Sequence, residues 1–315
     1  MTFARSLPRA RTAHDIAGAI ASASIVGDPA RVVDAIGSLT TVRPGILAFC
    51  DAADAADAAS RVERLQGAIV LVPADLRLRS GPDRTLLAVA DVRAAFIDLV
   101  SWLLPDAARP RDPAPGVDAS ARVDTTASIA PSACIGARVE IGARSRVAAG
   151  AVVYEDCVIG SDCVIGPNAV VGWVGLAYHD RQNGERSPFP HLAGVRIGHR
   201  VDVGAQAAIC RGMLSHTTLD DDVKIGSLVY VGHGVTVGAG AWLSASASIA
   251  GHAAIGDRAL LGIGTTVVDN VRLEPAVVSG AGSVVARSVS AGTTIQGVPA
   301  RPVPAMRRFG PTPRR

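Results

Sequence analysis

Aromatic side chains are scarce in this chain: only 3% of its 315 residues are Phe, Trp or Tyr. That scarcity argues against a core built around large rings, which would draw most of its buried area from those residues. Gly, Ala and Val are abundant instead and point to a core of many small, stacked aliphatic side chains. Cysteine is sparse as well. The five cysteines (Cys50, Cys134, Cys157, Cys163 and Cys210) are odd in number and form no CxxC pair. They read as reduced, scattered thiols of a cytoplasmic protein, not as a disulfide framework or a zinc site. No sign of charge dominates, with 31 basic and 28 acidic residues and a net charge of +3, so nothing resembles a nucleic-acid surface. The one local excess is Arg301, Arg307, Arg308, Arg314 and Arg315, in an Arg/Pro-rich tail over 301–315 that reads as solvated. No run approaches the roughly 18 apolar residues that a membrane span needs. The basic residues Arg5, Arg9 and Arg11 are not followed by an apolar signal segment. A soluble cytoplasmic protein is expected, with no nucleic-acid partner and no membrane span.

What is present is a repeat. From Val117 an aliphatic residue returns at every sixth position: Val123, Ile129, Ile135, Ile141, Val147, Val153, Ile159, Ile165 and Val171. The register breaks over residues 172–195, resumes at Ile197, Val203 and Ile209, and breaks again over 210–218. It returns at Leu219 and continues through Val231, Val237, Leu243, Ile249, Ile255 and Val267 to Leu273. A period of six suits neither an α-helix nor a simple alternating strand. It suits a short strand followed by a tight corner, with the aliphatic side chain pointing into a triangular prism. Three hexads then close one coil of about 18 residues, and successive coils pair as parallel strands.

The residues ahead of the repeat differ in kind. Helical stretches are expected over His14–Ser24, Ala52–Leu65 and Val92–Leu104, with strands over Gly45–Phe49, Ala68–Val72 and Thr85–Ala88. Pro105, Pro110, Pro113 and Pro115 mark a linker. The fold class is therefore mainly β: a parallel β-helix of hexapeptide repeats over 111–300, preceded by a small α+β domain over 1–110.

A solenoid needs coils stacked without interruption, so its two breaks draw attention. The first holds Trp173, Tyr178, His179, Phe189 and His191; the second carries Arg211 and His216. Long loops rich in rings are usually functional. Among the seven histidines, His14, His179 and His199 have no supporting context and read as surface residues. His233 stands out in Val231-Gly232-His233-Gly234-Val235, at a corner of an otherwise small-residue hexad. Imidazole is the usual general base near neutral pH. One coil later lies Gly251, whose backbone N–H is placed to face an oxyanion beside that imidazole, and His252 follows it. There is no GxSxG, no P-loop, no GxGxxG and no HExxH. Direct attack of an amine or hydroxyl on a bound thioester, with His233 taking the proton, is simpler than a covalent enzyme intermediate.

These segments resemble the UDP-3-O-acylglucosamine N-acyltransferases, hexapeptide-repeat enzymes of lipid A synthesis, over roughly residues 35–300. Arg43-Pro44-Gly45-Ile46-Leu47-Ala48-Phe49, Gly67-Ala68-Ile69-Val70-Leu71-Val72-Pro73 and Val92-Arg93-Ala94-Ala95-Phe96 are similar to segments of that family's small domain. In the repeat, Gly172-Trp173-Val174-Gly175-Leu176-Ala177, Phe189-Pro190-His191-Leu192 and Ile209-Cys210-Arg211-Gly212-Met213-Leu214 follow in the family's order. Val231-Gly232-His233 falls on the motif of the catalytic histidine and Gly251 on the oxyanion-hole glycine. The resemblance implies left-handed coiling, a homotrimer with ligand grooves between subunits, and no permanently bound cofactor. It implies an acyl thioester of acyl carrier protein or CoA as co-substrate, and a small-molecule amine acceptor. Substrate-binding positions carried over or singled out are Phe49, Trp173, His191, Arg211, His216, Trp242, His252 and Asn270.

Departures from the family are as informative. Phe49 matches one of two rings that sandwich uracil, but the second position is Ala55, and a nearby family Asn is Ala52. The Asp-Asn pair ahead of the histidine is Gly226-Ser227, a second family histidine falls on Asn270, and the Gln of the proline turn is His191. After Pro299 only the tail stands where the family has a C-terminal helix that helps dock acyl carrier protein. Loss of one stacked ring would weaken base binding by very roughly 1–3 kcal/mol, unless Trp173 compensates. Trp242 either shortens an acyl groove or lies on the outer face. The reaction type is thus better supported than the substrate. Competing readings are an acetyl-CoA-dependent sugar O-acetyltransferase, a non-catalytic β-helix scaffold, and a metal-dependent carbonic anhydrase on the same prism. The last lacks a third histidine at a fitting offset, and no metal is expected.

Overall fold

The computed structural model describes residues 3–20, 22–41, 43–51, 55–76, 81, 83–107 and 110–302. Ala52, Arg307, Arg308, Arg314 and Arg315 lie outside the described residues. The chain divides into two compact units. The first comprises Met1–Arg109, Leu176–Ala193 and Met213–Ser215; the second comprises Pro110–Gly175, Gly194–Gly212 and His216–Arg315. The α+β unit therefore takes in two segments from the breaks in the repeat, which carry no inward aliphatic residue at every sixth place. Among the described residues, no helix is long and apolar enough to cross a membrane.

The first unit is a six-stranded sheet in the order β1-β3-β4-β5-β6-β2 with three helices. Its elements are β1 (Ala4–Thr12), α1 (Ala13–Gly18), β2 (Ser24–Val26), β3 (Val32–Gly37), β4 (Ile46–Phe49), α2 (Ala55–Arg64), β5 (Ala68–Pro73), β6 (Arg84–Val89) and α3 (Val92–Leu103). Strands β3 to β6 pair in parallel. The continuous apolar runs of β4 and β5 follow from burial on both faces of the sheet. Helix α3 starts where the Asp91 carboxylate accepts the Ala94 N–H, and it buries Val92, Phe96, Leu99, Val100 and Leu103 on one face. The first helix is shorter than expected. It is capped by Thr12 and Asp15 and closes at Gly18, and Ser24 begins a strand instead of ending a helix. Strand β1 was not expected, since Arg and Pro dominate it. As an edge strand pairing only with β3 it tolerates both.

The second unit is the prism. Three sheets of nine, eight and ten strands form its faces. Uninterrupted coils step by 18 residues: Cys134 pairs with Val152, Glu140 with Val158, and Arg146 with Val164. At the first break Val170 pairs with Ala208, and at the second Ala208 pairs with Tyr230, on the same face. The insertions are thus looped out and the stack continues through both. The inward column, including Ile135, Val153, Val171, Ile209, Val231, Ile249 and Val267, is fully buried. From Arg138 onward most hexads turn their corner through a left-handed residue, as at Arg138, Arg144, Gly150, Asp156, Asp162 and Asn168. Most of these residues are not glycine, and a bulky one such as Arg138 costs about 1–2 kcal/mol of backbone strain. The ladder bonds and core packing on either side offset that cost.

Candidate active site

His233 follows the strand Tyr230–Val231, with Val231 anchoring the strand in the core. Its imidazole is half-buried at a corner, gripped between two glycines. A methyl group on Gly175 would lie 2.8 Å from His233 Cδ2. On Gly251 it would lie 2.6 Å from Cε1, 2.8 Å from Nε2 and 3.2 Å from Oδ1 of Asp269. Only glycine leaves room for the ring at either place. Gly232 is equally confined, since its methyl would meet the Gly251 nitrogen at 2.9 Å. The Gly251 N–H donates to no acceptor among the described residues, so it is available to a ligand.

The same corner carries a second imidazole. The rings of His233 and His252 lie edge to face, with centroids 4.8 Å apart. Gly234 takes a left-handed φ of 67°, and any side chain there would strike His252 Nδ1. The Gly234 N–H donates to Thr217 Oγ1 (2.9 Å), and the His252 N–H to the His233 carbonyl (2.9 Å). Both bonds start from backbone N–H groups and hold the corner in place. Burial, followed by repulsion from His252, lowers the His233 pKa below the usual histidine value, while Asp269 acts in the opposite direction. The ring is therefore neutral at pH 7, the protonation state required of a base.

The other sequence candidates fall around this corner or elsewhere. His216 is pulled down to about 4, first by burial and then by the Arg196 charge. Its Nδ1 accepts the Gly194 N–H at 3.2 Å, which fixes Nε2 as the protonated nitrogen. Arg211 is 3% exposed and turned inward, donating to the Glu155 carboxylate (3.0 Å) and carbonyl (3.3 Å). Trp173 leans on Tyr154 with ring centroids 4.9 Å apart and keeps one edge in solvent. Trp242 lies on the outer face, 55% exposed, in a ladder with Leu260 and then Val278. Asn270 is exposed at a left-handed corner. Phe49 and His191 lie in the first unit. Phe49 packs against Phe96 and Phe189 at 4.7 and 5.8 Å between centroids. His191 is buried, and its Nδ1–H donates to the Phe189 carbonyl at 3.0 Å.

Sequence reading missed two members of the corner. Asp269 stands one further coil beyond Gly251, so the 18-residue step that linked His233 to Gly251 also reaches it. Gly175 comes from the first break, where no period operates and no signal marked it. Burial raises the thiol pKa of Cys157 to about 11, and raises that of Cys210 too. Neither suits a nucleophile at neutral pH. Among the described residues, no group of three His, Cys, Asp or Glu is placed to hold a metal ion.

The family profile described as bacterial transferase hexapeptide (six repeats) matches residues 139–172. The chain is 32% identical over 137 residues to the probable UDP-3-O-acylglucosamine N-acyltransferase 2, mitochondrial, of Arabidopsis thaliana, covering 44% of this chain and 45% of that protein. It is 37% identical over 115 residues to the UDP-3-O-acylglucosamine N-acyltransferase of Polaromonas naphthalenivorans, covering 36% of this chain and 32% of that protein. These matches span less than half the length of the curated relatives. Among solved structures, LpxA from Acinetobacter baumannii aligns with a TM-score of 0.53 at 22% identity, covering 59% of this chain and 70% of that chain. The prism is thus a left-handed parallel β-helix.

Proposed function

We propose that this chain, a divergent relative of the UDP-3-O-acylglucosamine N-acyltransferases, transfers an acyl group from a thioester to the amine of a sugar or sugar-like acceptor. The observation that carries this reading is the contact of the His233 imidazole edge with Gly251, whose N–H meets no acceptor among the described residues. The acceptor nitrogen attacks the thioester carbonyl carbon, forming the C–N bond as His233 takes a proton from that nitrogen. The Gly251 N–H faces the oxyanion that develops on the former carbonyl. Collapse of the tetrahedral species breaks the C–S bond, and the departing thiolate takes the proton back from the imidazolium. The products are an amide and a free thiol, with no covalent enzyme intermediate. The thioester is carried by acyl carrier protein or CoA, and the working form is a homotrimer.

Incubating the protein with acyl-CoA and acyl-carrier-protein donors and amino-sugar nucleotides, followed by mass spectrometry, tests the reaction. An amide product that disappears with His233→Ala is the expected result. An ester product would shift the reading to O-acyl transfer, and full activity in His233→Ala would remove the base.

A further inference from the structure

Carboxylates of the prism are nearly all engaged. Asp156, Asp162 and Asp222 each hold an arginine, and Asp257 accepts the Ala239 N–H. Asp220 and Asp269 differ: among the described residues of the second unit, neither carboxylate has a hydrogen bond or an ion pair. Burial, and then the like charges of Asp257 and Asp221, raise the Asp220 pKa. Asp269 instead stands beside the candidate base, with no side chain on Gly251 to separate them. Its Oδ1 and the His233 Nε2 border the same face of Gly251, at 3.2 and 2.8 Å from where a side chain would begin.

We propose that Asp269 is an acceptor-binding residue that selects an amine, holding the acceptor nitrogen by its positive charge and N–H bonds beside His233. The inference rests on the acyl-transfer reading and narrows its substrate class. A sugar amine can arrive as an ammonium at neutral pH, and a carboxylate accepts from one or two of its N–H groups and offsets its charge. A hydroxyl offers one donor and no charge, so it gains much less from Asp269. The ammonium gives one proton to solvent before attack. Asp269 keeps a hydrogen bond to the remaining N–H while His233 takes the proton released on C–N bond formation. Glycine at 251 is required for this as well, since any side chain there would fill the space between carboxylate and imidazole.

Isothermal titration calorimetry of the full chain with UDP-glucosamine and UDP-glucose, an amine and a hydroxyl of otherwise matched structure, tests this directly. The wild-type protein is expected to bind the amine more tightly. Asp269→Asn is expected to weaken amine binding about tenfold or more, leaving the hydroxyl sugar unchanged. Equal affinity for both sugars, no binding of either, or an equal loss on both in Asp269→Asn would overturn the proposal. His233→Ala assayed alongside separates the two ideas. Loss of acyl transfer there with Asp269→Asn silent sinks only the amine selection. Retained transfer with the tenfold weakening sinks only the base.

Discussion

Two edges of the same prism turn their corners with one backbone conformation and fill them with opposite chemistry. One edge carries Arg144 with Asp162 and Arg200 with Asp222, bidentate pairs that bridge adjacent coils. The other begins in the same way, with Arg138 held by Asp156. In later coils it changes to Gly234, His252 and Asn270 in the left-handed positions, with His233, Gly251 and Asp269 one residue before them. Turning the corner does not require an imidazole beside stacked glycines: on the first edge the His199 ring accepts the Ser161 N–H at 3.0 Å and ion pairs fill the corners to either side. The glycines serve instead to admit the His233 ring, and the coil loses its ion pairs where the ring needs space. A stretch that departs from the fold's own habit, at no gain in packing, marks the site.

Substitutions on the two edges should separate sharply. His233→Ala is expected to lower acyl transfer about 10²–10⁴-fold, the usual worth of a general base, with the far-UV circular dichroism of the β-helix unchanged. Gly251→Ala should follow, at roughly 10²-fold or more, because its methyl would displace the ring and crowd the N–H facing the oxyanion. Its signature is a loss in kcat greater than the change in donor KM. His216 then gives a pH test on stability. Its folded pKa of about 4 lies below its ordinary value of 6.5. The unfolded chain therefore binds a proton that the fold refuses, and stability falls as pH drops from 6.5 towards 4. The loss is at most about 3 kcal/mol, reduced by solvent screening of a partly exposed ring. Denaturant melts of His216→Gln should show a flatter acid limb, and an unchanged slope would contradict the assignment. Smallest of all is Arg144→Ala on the ordinary edge. Exposed pairs of this kind contribute little, so transfer rates and the thermal midpoint should barely move.

Much of this architecture is legible in the residues. The six-residue return of Val, Ile and Leu predicts the buried column from Ile135 to Leu273, and both breaks fall where the strand register jumps. His233 and Gly251 are found by the same arithmetic, because a coil of fixed length turns sequence distance into spatial contact. Asp269 obeys it too, but no motif in the sequence sets that carboxylate apart from the corner residues around it. Gly175 was beyond reach, since a looped-out segment has no period to place it. In the first unit β4, β5 and α3 follow from apolar runs and a clear cap. Strand β1 does not, because an edge strand needs no apolar face, and pairing with β3 outweighs its Arg- and Pro-rich composition. Arg211 and His191 illustrate another limit. Residue type suggested ligand contacts, whereas the structure turns both inward onto protein partners.

The most direct test of His233 as the base is the pH dependence of kcat/KM for acyl transfer, in the wild-type protein and in His233→Gln. A wild-type acid limb with its midpoint below 6.5 is expected, since burial and His252 lower the imidazole pKa, together with a variant of very low activity in which that limb is absent. Near-wild-type transfer by the variant, with the same acid limb, would contradict His233 as the base.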